Sequence, residues 1–97
     1  MNGSLRGMAD VQWSDAALTE LIEIRAYIAL FNPAAAERML TRLIALGESL
    51  AMFPNRGRPA AYGTREMTTV PPYILNYEVV GDRVMILRVR HGARESN

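Results

Sequence analysis

The sequence has no cysteine, no lysine and only one histidine among its 97 residues. Without cysteine the chain can form neither a disulfide framework nor a thiolate metal site, and a single histidine leaves carboxylates as the only other metal ligands. These absences exclude a zinc site, and we expect the protein to use no metal and no cofactor.

A long apolar run is also missing. Charged side chains interrupt the hydrophobic stretches every few residues, so none approaches the ~20 residues needed to span a bilayer. The first residues lack the apolar core of a secretory signal, which is roughly 7 to 15 residues long. The sequence therefore predicts a cytoplasmic protein without membrane contact.

The composition is that of one soluble globular domain. The chain is 49% hydrophobic and 22% charged, close to the average of about 45 to 50% apolar and about 25% charged residues. Its length allows one domain and excludes a second. The first seven residues are polar and contain glycine, so we interpret residues 1–7 as an appended or disordered tail and residues 8–97 as the single domain.

Charge is unevenly distributed along the chain. Residues 1–53 carry four arginines and six acidic residues (−2), whereas residues 54–97 carry seven arginines and four acidic residues (+3). Arginine favours planar, bidentate contacts with carboxylates or phosphates, although a genome that prefers arginine codons gives the same composition. The basic character belongs to the second half of the chain.

The first half of the sequence contains two signals for the start of a helix. Residues 9–13 alternate apolar and polar side chains and predict a short strand, after which Ser14 and Asp15 form a typical N-terminal cap. A 3.6-residue period then predicts a helix over residues 15–31. Asn32 and Pro33 cap and open a second helix, and the short link predicts an antiparallel hairpin. The apolar stripe expected on this helix is Ala36, Met39, Leu40, Leu43, Leu46, Leu50 and Phe53.

The second half predicts a meander of strands. Residues 54–59 contain two prolines and a glycine and are expected to form a loop. Three strand patterns follow, Arg65–Val70, Tyr73–Val80 and Arg83–His91, the last two joined by a two-residue turn. The predicted fold is α+β: a strand, an antiparallel two-helix hairpin and a three-stranded antiparallel meander, with both helices on one face of a single sheet.

Strict alternation places Ile74, Val80, Val84 and Ile86 together on one face of the last two strands. Two helices cover only one face of a sheet, so we expect this second face to stay partly bare. That is more apolar surface than a monomer usually exposes, and it favours a binding module over a metabolic enzyme.

His91 is the strongest candidate for chemistry. It ends the last predicted strand, just after Arg88 and Arg90. A histidine beside guanidiniums can act as a general acid or base in phosphodiester cleavage while the arginines stabilise the developing charge. The alternative is a structural histidine that forms a hydrogen bond at the strand end.

Other charged residues also have two interpretations. Arg56 and Arg58 lie on a constrained loop that suits phosphates or an acidic protein segment, or that is merely solvated. No aromatic residues alternate with these arginines, so the stacking platform for single-stranded nucleic acid is missing. Glu20 and Glu23, one helical turn apart, are interpreted as a solvated helix face.

Several short motifs occur in a characteristic order over residues 9–94. They are Trp13-Ser14, Asn32-Pro33-Ala34-Ala35, Gly57-Arg58-Pro59, Gly63-Thr64-Arg65-Glu66, Pro72-Tyr73-Ile74 with Tyr77, and Ile86-Leu87-Arg88-Val89-Arg90-His91-Gly92-Ala93-Arg94. In this order and spacing they resemble the RelE/ParE family of type II toxins. The resemblance implies a toxin neutralised by a cognate ParD-like antitoxin, a DNA-binding dimer whose flexible carboxy-terminal segment wraps the toxin.

The resemblance implies two possible targets. RelE-like members cleave mRNA in the ribosome, whereas ParE-like members inhibit DNA gyrase and have no recognised hydrolytic site. Many RelE-like nucleases carry an arginine where this chain has Ile74, and here no tyrosine follows Tyr77. The His-Gly-Ala-Arg ending resembles the ParE-like branch, which makes gyrase the expected target. The alternative is a ribosome-dependent endoribonuclease that uses His91 with Arg88, Arg90 or Arg94.

The expected contact surfaces follow from the family's partners. We expect Arg56, Arg58, His91 and Arg94 to contact the target, with no direct sequence-specific nucleic-acid binding by the toxin alone. We expect the antitoxin to cover the apolar sheet face of Ile74, Val80, Val84 and Ile86, with Arg65, Arg88 and Arg90 as a rim for its acidic residues.

Overall fold

The computed structural model describes residues 8–93, so the predicted tail at residues 1–7 and the candidate Arg94 lie outside the described residues. The elements are β1 (Asp10–Trp13), α1 (Asp15–Ala29), α2 (Pro33–Glu48), a single 3-10 turn (Ser49–Ala51), β2 (Arg58–Pro59), a second short turn (Ala61–Gly63), β3 (Arg65–Val70), β4 (Tyr73–Val80) and β5 (Arg83–His91).

Both predicted helix starts are confirmed. The Ser14 Oγ accepts a hydrogen bond from the Ala17 backbone N–H at 3.0 Å, and the Asn32 Oδ1 accepts one from the Ala35 N–H at 3.0 Å. Each cap satisfies an amide that the first helical turn leaves without a partner. Helix α1 ends at Ala29, slightly before the predicted boundary.

The sheet has five strands in the order β1-β5-β4-β3-β2. Strand β1 pairs with β5 in parallel, and the other neighbours are antiparallel. The predicted meander of β3, β4 and β5 is confirmed. The loop prediction for residues 54–59 was wrong at its end, because Arg58 and Pro59 pair with Glu66 and Arg65 and add a short edge strand. Proline is tolerated there since an edge strand leaves one side of its backbone unpaired.

Both helices pack on one face of the sheet, as predicted, and the core lies between the two layers. Tyr77, Leu43, Leu50, Leu75, Ile86 and Val84 are its largest fully buried side chains. Gly47 lets α2 approach the sheet closely: a Cβ at this position would lie 2.6 Å from the Trp13 Cη2 and 2.7 Å from the Ile86 Cδ1. Helix α2 can approach the sheet this closely only because glycine has no side chain.

Strand β5 contains one residue more than its partner. Tyr77 pairs with Ile86 and Asn76 pairs with Arg88, so Leu87 has no opposite residue in β4. Such a bulge reverses the alternation of side chains beyond it. Before the bulge Val84 and Ile86 face the helices, and after it Val89 does.

The register of β4 against β5 overturns the predicted apolar face. Val84 pairs with Val79 and Ile86 pairs with Tyr77, and directly paired residues lie on the same face of a sheet. Val84 and Ile86 therefore lie on the face opposite to Val80. Val84 and Ile86 are each 0% exposed and belong to the core, so they cannot contact a partner. Ile74 is half-buried, and Val80 is exposed at the end of β4. The sheet face turned away from the helices, here called the open face, is therefore not the continuous apolar surface that the alternation predicted.

Candidate functional site

The second half of β5 has a sheet edge without a neighbouring strand, because β1 ends opposite Ile86. Side chains from the start of the chain cover this edge. The Ser14 Oγ donates to the Leu87 carbonyl at 2.9 Å, and the Glu20 Oε1 accepts the Val89 N–H at 2.7 Å. Two of the backbone groups that an added strand would need, the Leu87 carbonyl and the Val89 N–H, are thus already engaged.

Glu20 also binds Arg88. The Arg88 Nε donates to the Glu20 Oε2 at 2.7 Å, and the Arg88 Nη2 lies 2.6 Å from the same oxygen. The Glu20 side chain is only 17% exposed. Its interpretation as part of a solvated face was wrong, since α1 presents it to the strand edge, whereas Glu23 is exposed as predicted.

A cleft of about 370 Å³ opens between α1 and this part of β5. Its walls are formed by Glu20, Glu23, Ile24, Tyr27, Tyr73, Arg88, Val89, Arg90 and His91. The His91 ring packs edge-on against Tyr73, with centroids 5.5 Å apart. The His91 Nδ1 is buried and accepts or donates no hydrogen bond among residues 8–93. At this nitrogen, the hydrogen bond predicted for a structural histidine is therefore not formed within the described residues.

Arg90 points the other way, onto the open face. There Glu66 binds it at 3.2 Å and also binds Arg58 at 3.3 Å. One carboxylate thus holds two of the predicted site arginines, one from β5 and one from the edge strand β2. The structure separates Arg90 from Arg88, whose guanidinium lies beside α1, although sequence spacing grouped both with His91.

Side-chain hydrogen bonds from the sheet hold the loop that carries Arg56. The Tyr77 hydroxyl donates to the Pro54 carbonyl at 2.6 Å and accepts the Gly57 N–H at 2.9 Å. Arg65 donates to the Gly57 carbonyl at 2.7 Å, so it supports the loop and is not part of an antitoxin rim on the open face. Arg56 itself donates to the Ser49 Oγ at 3.0 Å. The backbone between α2 and β2 is consequently fixed while Arg56 and Arg58 stay exposed.

An exposed apolar surface that sequence reasoning missed lies along α1 and its C-cap residue Leu30. Leu18, Ile22, Ala26 and Leu30 follow one another at intervals of four residues, and all four are exposed. We call these four residues the α1 outer face. Ile22 is 68% and Leu30 is 78% exposed. The signal was present in the sequence, because α1 is apolar on more sides than one sheet can cover.

Replacing Glu20 with alanine is expected to lower the free energy of unfolding by about 1 to 3 kcal/mol, since the Val89 N–H and the Arg88 guanidinium both lose their acceptor. Chemical denaturation of Glu20→Ala measures the change. Glu23→Ala is the matched control, one turn along the same helix at an exposed position, and should stay within about 0.5 kcal/mol of the parent. Equal effects of the two variants would contradict the role given to Glu20.

No helix among residues 8–93 is long and apolar enough to cross a membrane. Within the same residues, no group of three or more histidine or acidic side chains is placed to hold a metal ion.

Comparison with known proteins identifies the family. Residues 11–96 match the family model of the ParE toxin of the type II toxin-antitoxin system parDE. Toxin RelE2 of Caulobacter vibrioides is 48% identical over 87 residues, which cover 90% of this chain and 99% of the relative. Putative toxin Y4kP of Sinorhizobium fredii is 38% identical over 88% of this chain and 90% of its own length.

Solved structures agree on the fold. A chain of the chromosomal ParDE toxin-antitoxin system from P. aeruginosa superposes with a TM-score of 0.77 at 26% identity, over 88% of this chain and 97% of that one. A chain of the toxin-antitoxin complex RelBE2 from Mycobacterium tuberculosis gives a TM-score of 0.66 at 24% identity, over 87% and 98%. The chain therefore belongs to the ParE toxin family of type II toxin-antitoxin systems.

Proposed function

We propose that this toxin inhibits DNA gyrase by binding it, without hydrolysing nucleic acid, and that a ParD-like antitoxin neutralises it in the cytoplasm. The observation that carries the proposal is the pairing of the two arginines beside His91. Arg88 is bound by Glu20 and Arg90 by Glu66. A nuclease needs positive charge directed at the scissile phosphate, and here both nearby guanidiniums are engaged by carboxylates of the toxin itself.

Target contacts are proposed at Arg56 and Arg58. The loop before them is held by Tyr77 and Arg65, so a partner meets a surface that is already ordered. The Arg58 side chain remains largely exposed despite its contact with Glu66. His91 stays a proposed target contact through the cleft beside α1, and Arg94 stays one from the sequence alone.

The gyrase proposal is tested with two assays of the purified toxin. We expect inhibition of gyrase supercoiling, with cleaved DNA accumulating, and intact message in a translating extract. Arg58→Ala should weaken inhibition roughly tenfold, the loss typical of one charged contact at an interface. Arg83→Ala, an exposed arginine of β5 outside the proposed contacts, serves as the control. Message cleavage with unaffected supercoiling would refute the proposal.

A ribosome-dependent endoribonuclease is the second candidate. The cleft between α1 and β5 favours it, because this cleft brings His91, Arg88 and two tyrosines to one cavity. Two of the relatives are also named RelE toxins. In that case His91→Ala should abolish message cleavage while leaving the fold unchanged.

The antitoxin is proposed to dock on the α1 outer face, not on the sheet face predicted from alternation. A groove continues this surface toward α2 through Ala29, Pro33 and Glu37. Beyond it, Arg38 and Arg42 of α2 are exposed and have no carboxylate partner among the described residues. Apolar side chains flanked by these arginines suit an antitoxin segment that combines aliphatic with acidic residues and folds as it binds.

A further inference from the structure

Tyr62 occupies a backbone conformation that its side chain disfavours. It forms the tip of the β2–β3 hairpin with φ 59° and ψ 35°, and Gly63 follows with φ 74°. Positive φ at both central residues defines a type I′ turn, which asparagine or aspartate followed by glycine normally occupies. The glycine is in its usual place, whereas a bulky tyrosine stands where asparagine would be favoured.

Among residues 8–93, the Tyr62 side chain gains no contact that would compensate for this conformation. The Tyr62 side chain is 100% exposed, so it buries no surface and contributes nothing to the core. Isolated exposed aromatics are common on proteins, but most of them sit on backbone that is not strained. Residues held in such conformations are frequently found where a protein binds a ligand or a partner.

Hydrogen bonds of the neighbouring residues hold the turn that carries Tyr62. The Thr64 N–H and its hydroxyl both donate to the Ala61 carbonyl, at 3.2 and 2.7 Å, and the Ala60 N–H donates to the Thr64 carbonyl at 2.8 Å. The amide of the buried Asn76 donates to the Thr64 Oγ1 at 3.0 Å, which ties the turn to β4. The tip is therefore pre-organised, and binding through it orders little additional backbone.

We propose that Tyr62 is a recognition residue that inserts into an apolar pocket with a polar rim on the target protein. This inference rests on the proposed function, because it names a further contact of the toxin with its target. Arg58 belongs to the same hairpin and also remains exposed. Tyrosine and arginine are the residue types most enriched among those that dominate binding energy.

Tyr62→Asn tests the inference because stability and activity should change in opposite directions. Asparagine suits the first central position of the turn, so the midpoint of thermal unfolding should rise by roughly 2 to 6 °C. Inhibition of gyrase should weaken at least about tenfold, since the inserted ring is lost. Affinity for the antitoxin, which is proposed to dock on α1, should not change. Tyr62→Phe keeps the ring and should retain most of the inhibition.

The outcomes separate this inference from the proposed function. If the parent protein leaves gyrase unaffected, the proposed function fails. Growth arrest after induction of the parent and of Tyr62→Asn then tests the role of Tyr62 independently of which target the toxin binds. A more stable Tyr62→Asn that loses growth arrest supports the inference. Full inhibition or growth arrest by that variant overturns it, as does a lowered melting temperature. Loss of antitoxin affinity also overturns it, because the tip would then contact a different partner.

Discussion

Ile86→Glu is expected to leave the protein unfolded. The side chain is completely buried between Gly47 of α2 and the β1 register partner Trp13. Removing a buried isoleucine costs about 2 to 5 kcal/mol, and a carboxylate buried without a partner adds further destabilisation. The sum is comparable to the whole stability of a small domain, about 5 to 15 kcal/mol. Circular dichroism during heating measures the result, and we expect no cooperative transition.

Val80→Glu is the control for this experiment. Val80 is 64% exposed beside the β4–β5 turn, so a carboxylate there remains in water, and we expect a change within about 0.5 kcal/mol. Strict alternation instead predicted Ile86 as a surface position covered by the antitoxin, where a glutamate would leave the fold intact. A folded Ile86→Glu with an unchanged melting temperature would restore that assignment and contradict the pairing of Ile86 with Tyr77.

The double variant Leu18→Glu with Ile22→Glu is expected to abolish high-affinity antitoxin binding. Each aliphatic side chain contributes about 1.5 to 3 kcal/mol when it is buried by a partner. Losing both corresponds to about 3 to 6 kcal/mol, a roughly 10²- to 10⁴-fold increase in Kd. The two added charges would also meet the acidic residues expected in the antitoxin. Because both side chains are exposed, the fold should remain stable. Titration of antitoxin by calorimetry measures the change.

The matched control again uses Val80→Glu, since Val80 belongs to the surface first predicted for the antitoxin. If the antitoxin docks on α1, this variant keeps the parent affinity while the α1 double variant loses it. The opposite pattern would show that the antitoxin covers the sheet, at what remains exposed of Ile74 and Val80. Gyrase inhibition by the α1 double variant should persist, because the proposed target contacts lie on the β2–β3 hairpin, on the loop before it and at His91.

The sequence by itself determined the order and type of the principal elements and the family. Ser14, Asn32 and Pro33 place the helix starts through local hydrogen bonds and a fixed proline φ, and these effects need no distant contact. Strand patterns and turn residues likewise placed the β3–β4–β5 meander. One layer of helices on one sheet followed from the element order, because two helices cannot cover both faces.

Only the tertiary structure decided which side chains are available to a partner. The extra residue at Leu87 is invisible in the apolar pattern, because valine, isoleucine and leucine occupy both phases of β5. This one inserted residue exchanges core and surface for the residues beyond it, so that Val89 is buried and Arg90 lies on the open face. Glu20 acquires its role because the neighbouring strand β1 ends early and leaves a backbone N–H that needs an acceptor. Pairing of Arg88 and Arg90 with separate carboxylates depends likewise on contacts between residues distant in the chain, which spacing along the sequence does not encode.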